Sequence, residues 1–212
     1  MKLFIICGHG GTDPGACAGG YSEADLVRRL ARKMKERCPD VEIGDMNRNW
    51  YAEQLIPRNA EKLKKCQVLE LHMDSATASA KGAHVIISDR FSPDKYDTAL
   101  AENITKIFPG RAQKIVKRGN LQNVNQTAVR GISYRLLECG FISNQQDRGK
   151  FLSSMDEIAE SILQAFNLKP ASTSGKKGLY KVQVGAYSDK KNAEKMLSDL
   201  EKKGFRGYIK YE

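Results

Sequence analysis

Residues 2–16 read Lys2-Leu3-Phe4-Ile5-Ile6-Cys7-Gly8-His9-Gly10-Gly11-Thr12-Asp13-Pro14-Gly15-Ala16. An unbroken apolar run that ends in glycines fits a strand buried on both faces, emptying into a loop. A helix is expected next, over residues 22–37. Ser22 caps it, and Leu26, Leu30 and Met34 recur at i, i+4 and i+8. Strand, loop and amphipathic helix make the first unit of an α/β sheet. The alternation continues along the chain. Strands are expected at 41–46, 67–73, 82–88, 113–117 and 133–139. Helices are expected at 50–65, 94–108 and 156–168, the last carrying Ile158, Ile162 and Phe166 on one face. The fold class is therefore α/β, with a mixed, largely parallel sheet and helices on both faces. In such sheets a site forms at the carboxyl ends of the strands.

Beyond Leu168 the pattern changes. Residues 169–178 are small, polar and aperiodic, which reads as a linker. Residues 179–212 form a small β-α-β pattern. Tyr180, Val182 and Val184 alternate on a strand. Ala193, Met196, Leu197 and Leu200 make a helical stripe, Gly204 stops it, and a second strand spans 207–211. The chain thus divides into 1–168, a linker at 169–178, and 179–212.

The 212 residues carry 35 Lys and Arg against 25 Asp and Glu, a net charge of +10. Such a balance points to an anionic partner. It is uneven, because residues 169–212 hold 11 of the basic and 5 of the acidic side chains. Nucleic acid is not expected, since no aromatic-studded basic motif lies outside the tail. No apolar run approaches the ~18 residues that span a bilayer, so membrane insertion is not expected. The apolar run at residues 3–7 is too short for a secretory leader, so the chain reads as made in the cytoplasm without a signal peptide. The five cysteines are scattered and form no C-x-x-C, which argues against a disulfide framework.

Three histidines exist, His9, His72 and His84. His9 follows the first strand, and His72 ends the strand at 67–73. Glu23 opens the first helix and Glu138 ends the strand at 133–139. All four are expected to converge at one sheet edge. Two histidines and a carboxylate leave a zinc position open for water, and a further carboxylate can move protons. Scattered His and Glu also serve structure, so spacing alone leaves both readings open. A thiol hydrolase using Cys139 or Cys7 is a rival. A zinc exopeptidase or deacetylase acting on another amide is a second, and a basic nucleic-acid-binding module a third.

The segments Gly8-His9-Gly10-Gly11-x-Asp13-Pro14-Gly15-Ala16, Leu71-His72-x-x-Ser75 and Glu138-Cys139-Gly140-Phe141-Ile142-Ser143-Asn144, with Glu23 at the helix start, are more specific. Together, over about residues 2–168, they resemble the zinc-dependent N-acetylmuramoyl-L-alanine amidases of the amidase-3 family. The resemblance implies hydrolysis of the amide between N-acetylmuramic acid and the first L-alanine of the peptidoglycan stem. It implies Zn²⁺ held by His9, Glu23 and His72, with Glu138 as general base and acid. The family commonly has His-x-Asn where this chain has His72-Met73-Asp74, so Asp74 is a candidate substrate contact. Without a leader, such an enzyme is expected to reach the wall through a holin or cell lysis, as an endolysin or autolysin does.

The tail, from Tyr180-Lys181-Val182-Gln183-Val184-Gly185-Ala186-Tyr187 onward, resembles half of a SPOR repeat. That implies peptidoglycan binding, with Gln183 and Tyr187 as candidate contacts. A half-repeat is small for a stable fold, so two tails are expected to pair in a homodimer and complete the sheet, the alternative being a tail that packs on the catalytic domain. His84 reads as a satisfied structural histidine and Asp13 as a support for the glycine loop. Glu70 reads either as a partner that orients a ligand or as an edge position. Arg28, Arg29, Arg32, Lys33, Lys35 and Arg37 read as a solvated helix surface.

Overall fold

A computed structural model describes residues 2–169, 184–205 and 207–209. The first strand, β1 (Lys2–Cys7), leads through a two-strand ribbon, β2 (Cys17–Ala18) and β3 (Tyr21–Ser22), into α1 (Glu23–Arg37). The Ser22 side chain accepts from the Asp25 amide, which caps α1 as its sequence predicts. Then come β4 (Glu42–Ile43), α2 (Leu55–Arg58), α3 (Ala60–Leu63), β5 (Cys66–Asp74), β6 (His84–Ser88) and α4 (Lys95–Ile107). The α/β part closes with β7 (Ile115–Arg118), α5 (Gln122–Ala128), β8 (Tyr134–Phe141), α6 (Gln145–Ser153) and α7 (Met155–Ala165). The last helix, α8 (Lys190–Lys202), belongs to the tail.

Six strands form one sheet in the order β4-β1-β5-β8-β6-β7. β4, β1, β5 and β8 are parallel, whereas β6 runs antiparallel to β8 and parallel to β7. The expectation of a mixed, largely parallel sheet with helices on both faces holds. Leu3, Ile5 and Cys7 pack with α1, α4 and α7 on one face. Phe4 and Ile6 pack with Trp50, α2, α3 and α5 on the other. The period-two alternation of a strand buried on both faces accounts for this split.

Three expectations need correction. The helix expected over 50–65 is two four-residue turns, α2 and α3. Gln54 adopts a left-handed φ of 48° before the first turn. Asn59 then donates from its side chain to the Leu55 carbonyl and separates the two. The strand expected over 41–46 shrinks to β4 because Gly44 and Asp45 turn away under the Trp50 ring. Two helices, α5 and α6, lie where none was expected.

Loop 75–83 links β5 to β6. Both strands meet the same sheet edge with β8 between them, so the loop arches over the carboxyl end of β8. Its feet are tied down: Ala76 N–H donates to Ser143 Oγ, Asn144 Nδ2 to the Ala78 carbonyl, and Gly82 N–H to Asp147 Oδ2. Its tip is exposed. No helix among the described residues is long and apolar enough to cross a membrane.

The chain divides into two compact units, Met1–Ser172 and Thr173–Glu212. In the second, the expected helical stripe lies on α8, and none of its residues is buried. Residues 207–209 are not in a strand. The first tail strand, apart from Val184, and Gln183 with it lie outside the described residues. Tyr187 is exposed.

Candidate metal centre

The site is built where β1 and β5 end. His9 leaves β1 with a left-handed φ of 60°, an uncommon conformation for a side chain-bearing residue. Arg28 from α1 holds that turn. Its guanidinium donates to the carbonyls of Gly8 (3.0 Å), His9 (2.9 Å), Ala24 (2.8 Å) and Met46 (2.8 Å). Arg28 is therefore no solvated helix residue but the clamp of the ligand loop. Glycine is required beside it, because a Cβ at Gly8 would overlap the His72 ring and one at Gly15 would crowd His9 and Glu23.

His9, Glu23 and His72 come together with ligand atoms all within 4.8 Å of one another. Glu23 Oε2 lies 3.1 Å from His9 Nε2, and Oε1 lies 2.8 Å from His72 Nδ1. The Glu23 carboxylate also accepts from the amides of Ala16 and Met73. Each imidazole is backed by a second acid. Asp13 Oδ2 lies 2.8 Å from His9 Nδ1, and Glu70 Oε1 lies 3.0 Å from His72 Nε2. When a metal takes the inward nitrogen of such a histidine, the far nitrogen that faces the carboxylate is the one that keeps the proton. The inward atoms are thus His9 Nε2 and His72 Nδ1, converging with one carboxylate. That donor set fits a zinc ion.

Electrostatics follow the same contacts. The Glu23 hydrogen bond raises the His9 pKa against the cost of burial. Burial opposes charge on His72, but hydrogen bonds with Glu23 and Glu70 outweigh it and raise the pKa well above 6.5. Burial likewise opposes charge on Glu23, and the two imidazoles nonetheless hold it ionised, far below the usual range.

Glu138 pairs across the sheet with His72 on β5 and with His84 on β6. The β5–β8 register shifts just beyond this pair, a bulge of the kind that re-aims side chains beside sites. Gly140 absorbs it with a φ of 82°, where a Cβ would press on Asp147 and Phe108. Glu138 Oε2 is buried with no hydrogen-bond partner. Burial, together with the negative charges of Glu23 and Asp74, raises its pKa to about 8 despite His72. The structure thus gathers His9, Glu23 and His72 and sets Glu138 beside them.

Asp74 follows at the end of β5, half-buried and accepting from the Ser75 amide, with a pKa raised mainly by burial. Asp13 does support the glycine loop, accepting from the Gly15 amide, and it also backs His9. His84 is buried but not satisfied, since its Nδ1 has no partner. Burial pulls its pKa down to about 4. The thiol candidates are inert: both are buried, and burial lifts Cys7 to about 11 and Cys139 well above its ordinary value. A cavity lined by Ile87, Phe91, Val124, Ile132 and Arg135 includes none of the candidate site residues.

Sequence reasoning missed Arg28, Asn49, Asn123 and Tyr134. Asn49 Nδ2 donates to Asp13 at 3.1 Å. Asn123 and Tyr134 hold Glu70. None belongs to a motif, and each acts across a long stretch of chain.

The chain is similar to known proteins in both of its parts. The profile of the N-acetylmuramoyl-L-alanine amidase family, Amidase_3, matches residues 3–167. The SPOR domain profile matches residues 155–211, starting inside α7. A Staphylococcus aureus protein named "Probable autolysin PH" is 30% identical over 188 residues, which cover 80% of this chain and 39% of that protein. The sporulation-specific N-acetylmuramoyl-L-alanine amidase of Bacillus subtilis is 28% identical over 223 residues, 99% of this chain and 84% of that one. Among solved structures, an N-acetylmuramoyl-L-alanine amidase from Clostridium difficile 630 superposes with a TM-score of 0.65 at 20% identity, over 78% of this chain and 94% of that one. At that identity the likeness is one of fold.

Proposed function

Because the chain belongs to the N-acetylmuramoyl-L-alanine amidase family, we propose that it hydrolyses the bond between N-acetylmuramic acid and L-alanine in peptidoglycan, using zinc held by His9, Glu23 and His72. One observation carries this reading: the inward nitrogens of two histidines and one carboxylate converge beside an unspent carboxylate, Glu138. When bound, zinc supplies a Lewis acid for the amide carbonyl and makes water a stronger acid. Glu138 takes the proton from the attacking water and returns it to the leaving alanine nitrogen as the C–N bond breaks. A carboxylate held beside the reacting atoms can take a proton in one step and return it in the next. Asp74, at the same strand end, is read as an acceptor for a substrate amide. The cell wall is the place of action. In the tail, Gln183 and Tyr187 are read as glycan contacts, and the α8 stripe as the surface on which two chains pair.

Mass spectrometry of digested cell walls tests the reaction. Stem peptides with a free L-alanine amine should appear while glycan strands stay intact, and a strong chelator should stop their release until Zn²⁺ is restored. New reducing sugar ends, or activity that survives the chelator, would overturn the reading.

A further inference from the structure

We propose that Glu70 is a positioning residue that makes Nδ1, not Nε2, the metal-binding nitrogen of His72, and that it strengthens the site's hold on zinc. The inference rests on the zinc reading above. Glu70 lies on β5 two residues before His72, so both side chains leave the same face of the sheet. It is 3% exposed, a costly place for a carboxylate unless every lone pair is used. The fold uses them. His72 Nε2 lies 3.0 Å from Oε1. Asn123 from α5 donates its amide to both oxygens, at 3.1 and 2.9 Å, and the Tyr134 hydroxyl donates to Oε2 at 2.6 Å.

Two other elements, α5 and β8, thus converge with His72 on one buried acid. Asn123 and Tyr134 leave Glu70 a single free direction, towards the imidazole. Nε2 is thereby taken up by the Glu70 carboxylate and keeps its proton when zinc binds, and Nδ1, which faces Glu23, is the nitrogen left for the metal. His9 presents the opposite nitrogen, because its carboxylate, Asp13, sits on Nδ1. The two backing acids differ in setting. The Asp13 side chain is 46% exposed and that of Glu70 only 4%. In the drier setting the carboxylate acts on its imidazole with little screening by water.

The test measures zinc affinity of the full chain by competition with a chromophoric chelator, alongside imidazole ¹⁵N spectra of the zinc-loaded protein. The wild type should bind one zinc, with His72 protonated on Nε2 and coordinated through Nδ1. Glu70→Gln should bind about 10- to 100-fold more weakly. Affinity within about threefold of wild type in that variant would overturn the proposal. So would coordination of His72 through Nε2, a result read on the wild type even if the variant does not fold. A wild type that takes up no zinc would instead refute the metal reading itself, and this inference with it.

Discussion

Glu138 stands between two histidine-bearing strands with one oxygen bonded to nothing. Such a group works against the fold. Its folded pKa is raised from 4.5 to about 8. For an acid shifted upward, the favourable state is the protonated one. Its contribution is intact below about pH 4.5 and is lost as pH rises towards 8. Glu138→Gln should therefore stabilise chelator-treated protein at pH 7 by about 3 kcal/mol, with little effect at pH 4. The same change should lower wall hydrolysis by about 10²- to 10⁴-fold. Urea melts at the two pH values check the first statement, and equal effects at both would contradict it. The residues that meet at the strand ends were legible in the chain because each marks the end of an apolar run or the start of a helix. Their supports were not. Arg28 looked like one more basic residue on a charged helix, yet four carbonyls surround its guanidinium. Asn123 and Tyr134 lie 53 and 64 residues from Glu70 in the chain, and no local pattern announces such a contact.

Elements were legible in proportion to their apolar periodicity. α1, α4 and α7 bury stripes of Leu, Ile and Met, and each fell where expected to within two or three residues. α5 reads Gln-Asn-Val-Asn-Gln-Thr-Ala and buries Asn123 and Thr127 as well as Val124. A helix that turns polar groups inward to serve a site carries no hydrophobic stripe, so pattern reading passes over it. The N-terminus of α4 shows how an element is fixed from outside. Asp94 and Asp97 form a capping box, and Arg135, 1% exposed on β8, donates to both acids at 3.0 and 2.8 Å. Removing one member of a buried pair leaves the other charge stranded. Arg135→Leu should cost about 3–5 kcal/mol in a urea melt. A loss below about 1 kcal/mol would show that the pair contributes as little as a surface bridge.

At the scale of the whole molecule the chain joins a well-packed α/β unit to a tail whose helix buries nothing. Val184, Tyr187, Phe205 and Ile209 are exposed in the tail, a large apolar share for so few residues. Pairing of two tails would cover the α8 stripe, so light scattering on the full chain at tens of micromolar should give twice the chain mass. Leu197→Asp should return it to the monomer. A monomeric wild type would refute the pairing. The direction of the sheet has a different bearing. Because β6 turns back along β8, loop 75–83 is anchored on both sides of Glu138 and free only at its tip. A segment fastened in this way can lengthen or change composition without moving a strand. It is the part of the molecule beside Glu138 that a change of sequence can reshape at least cost to the sheet.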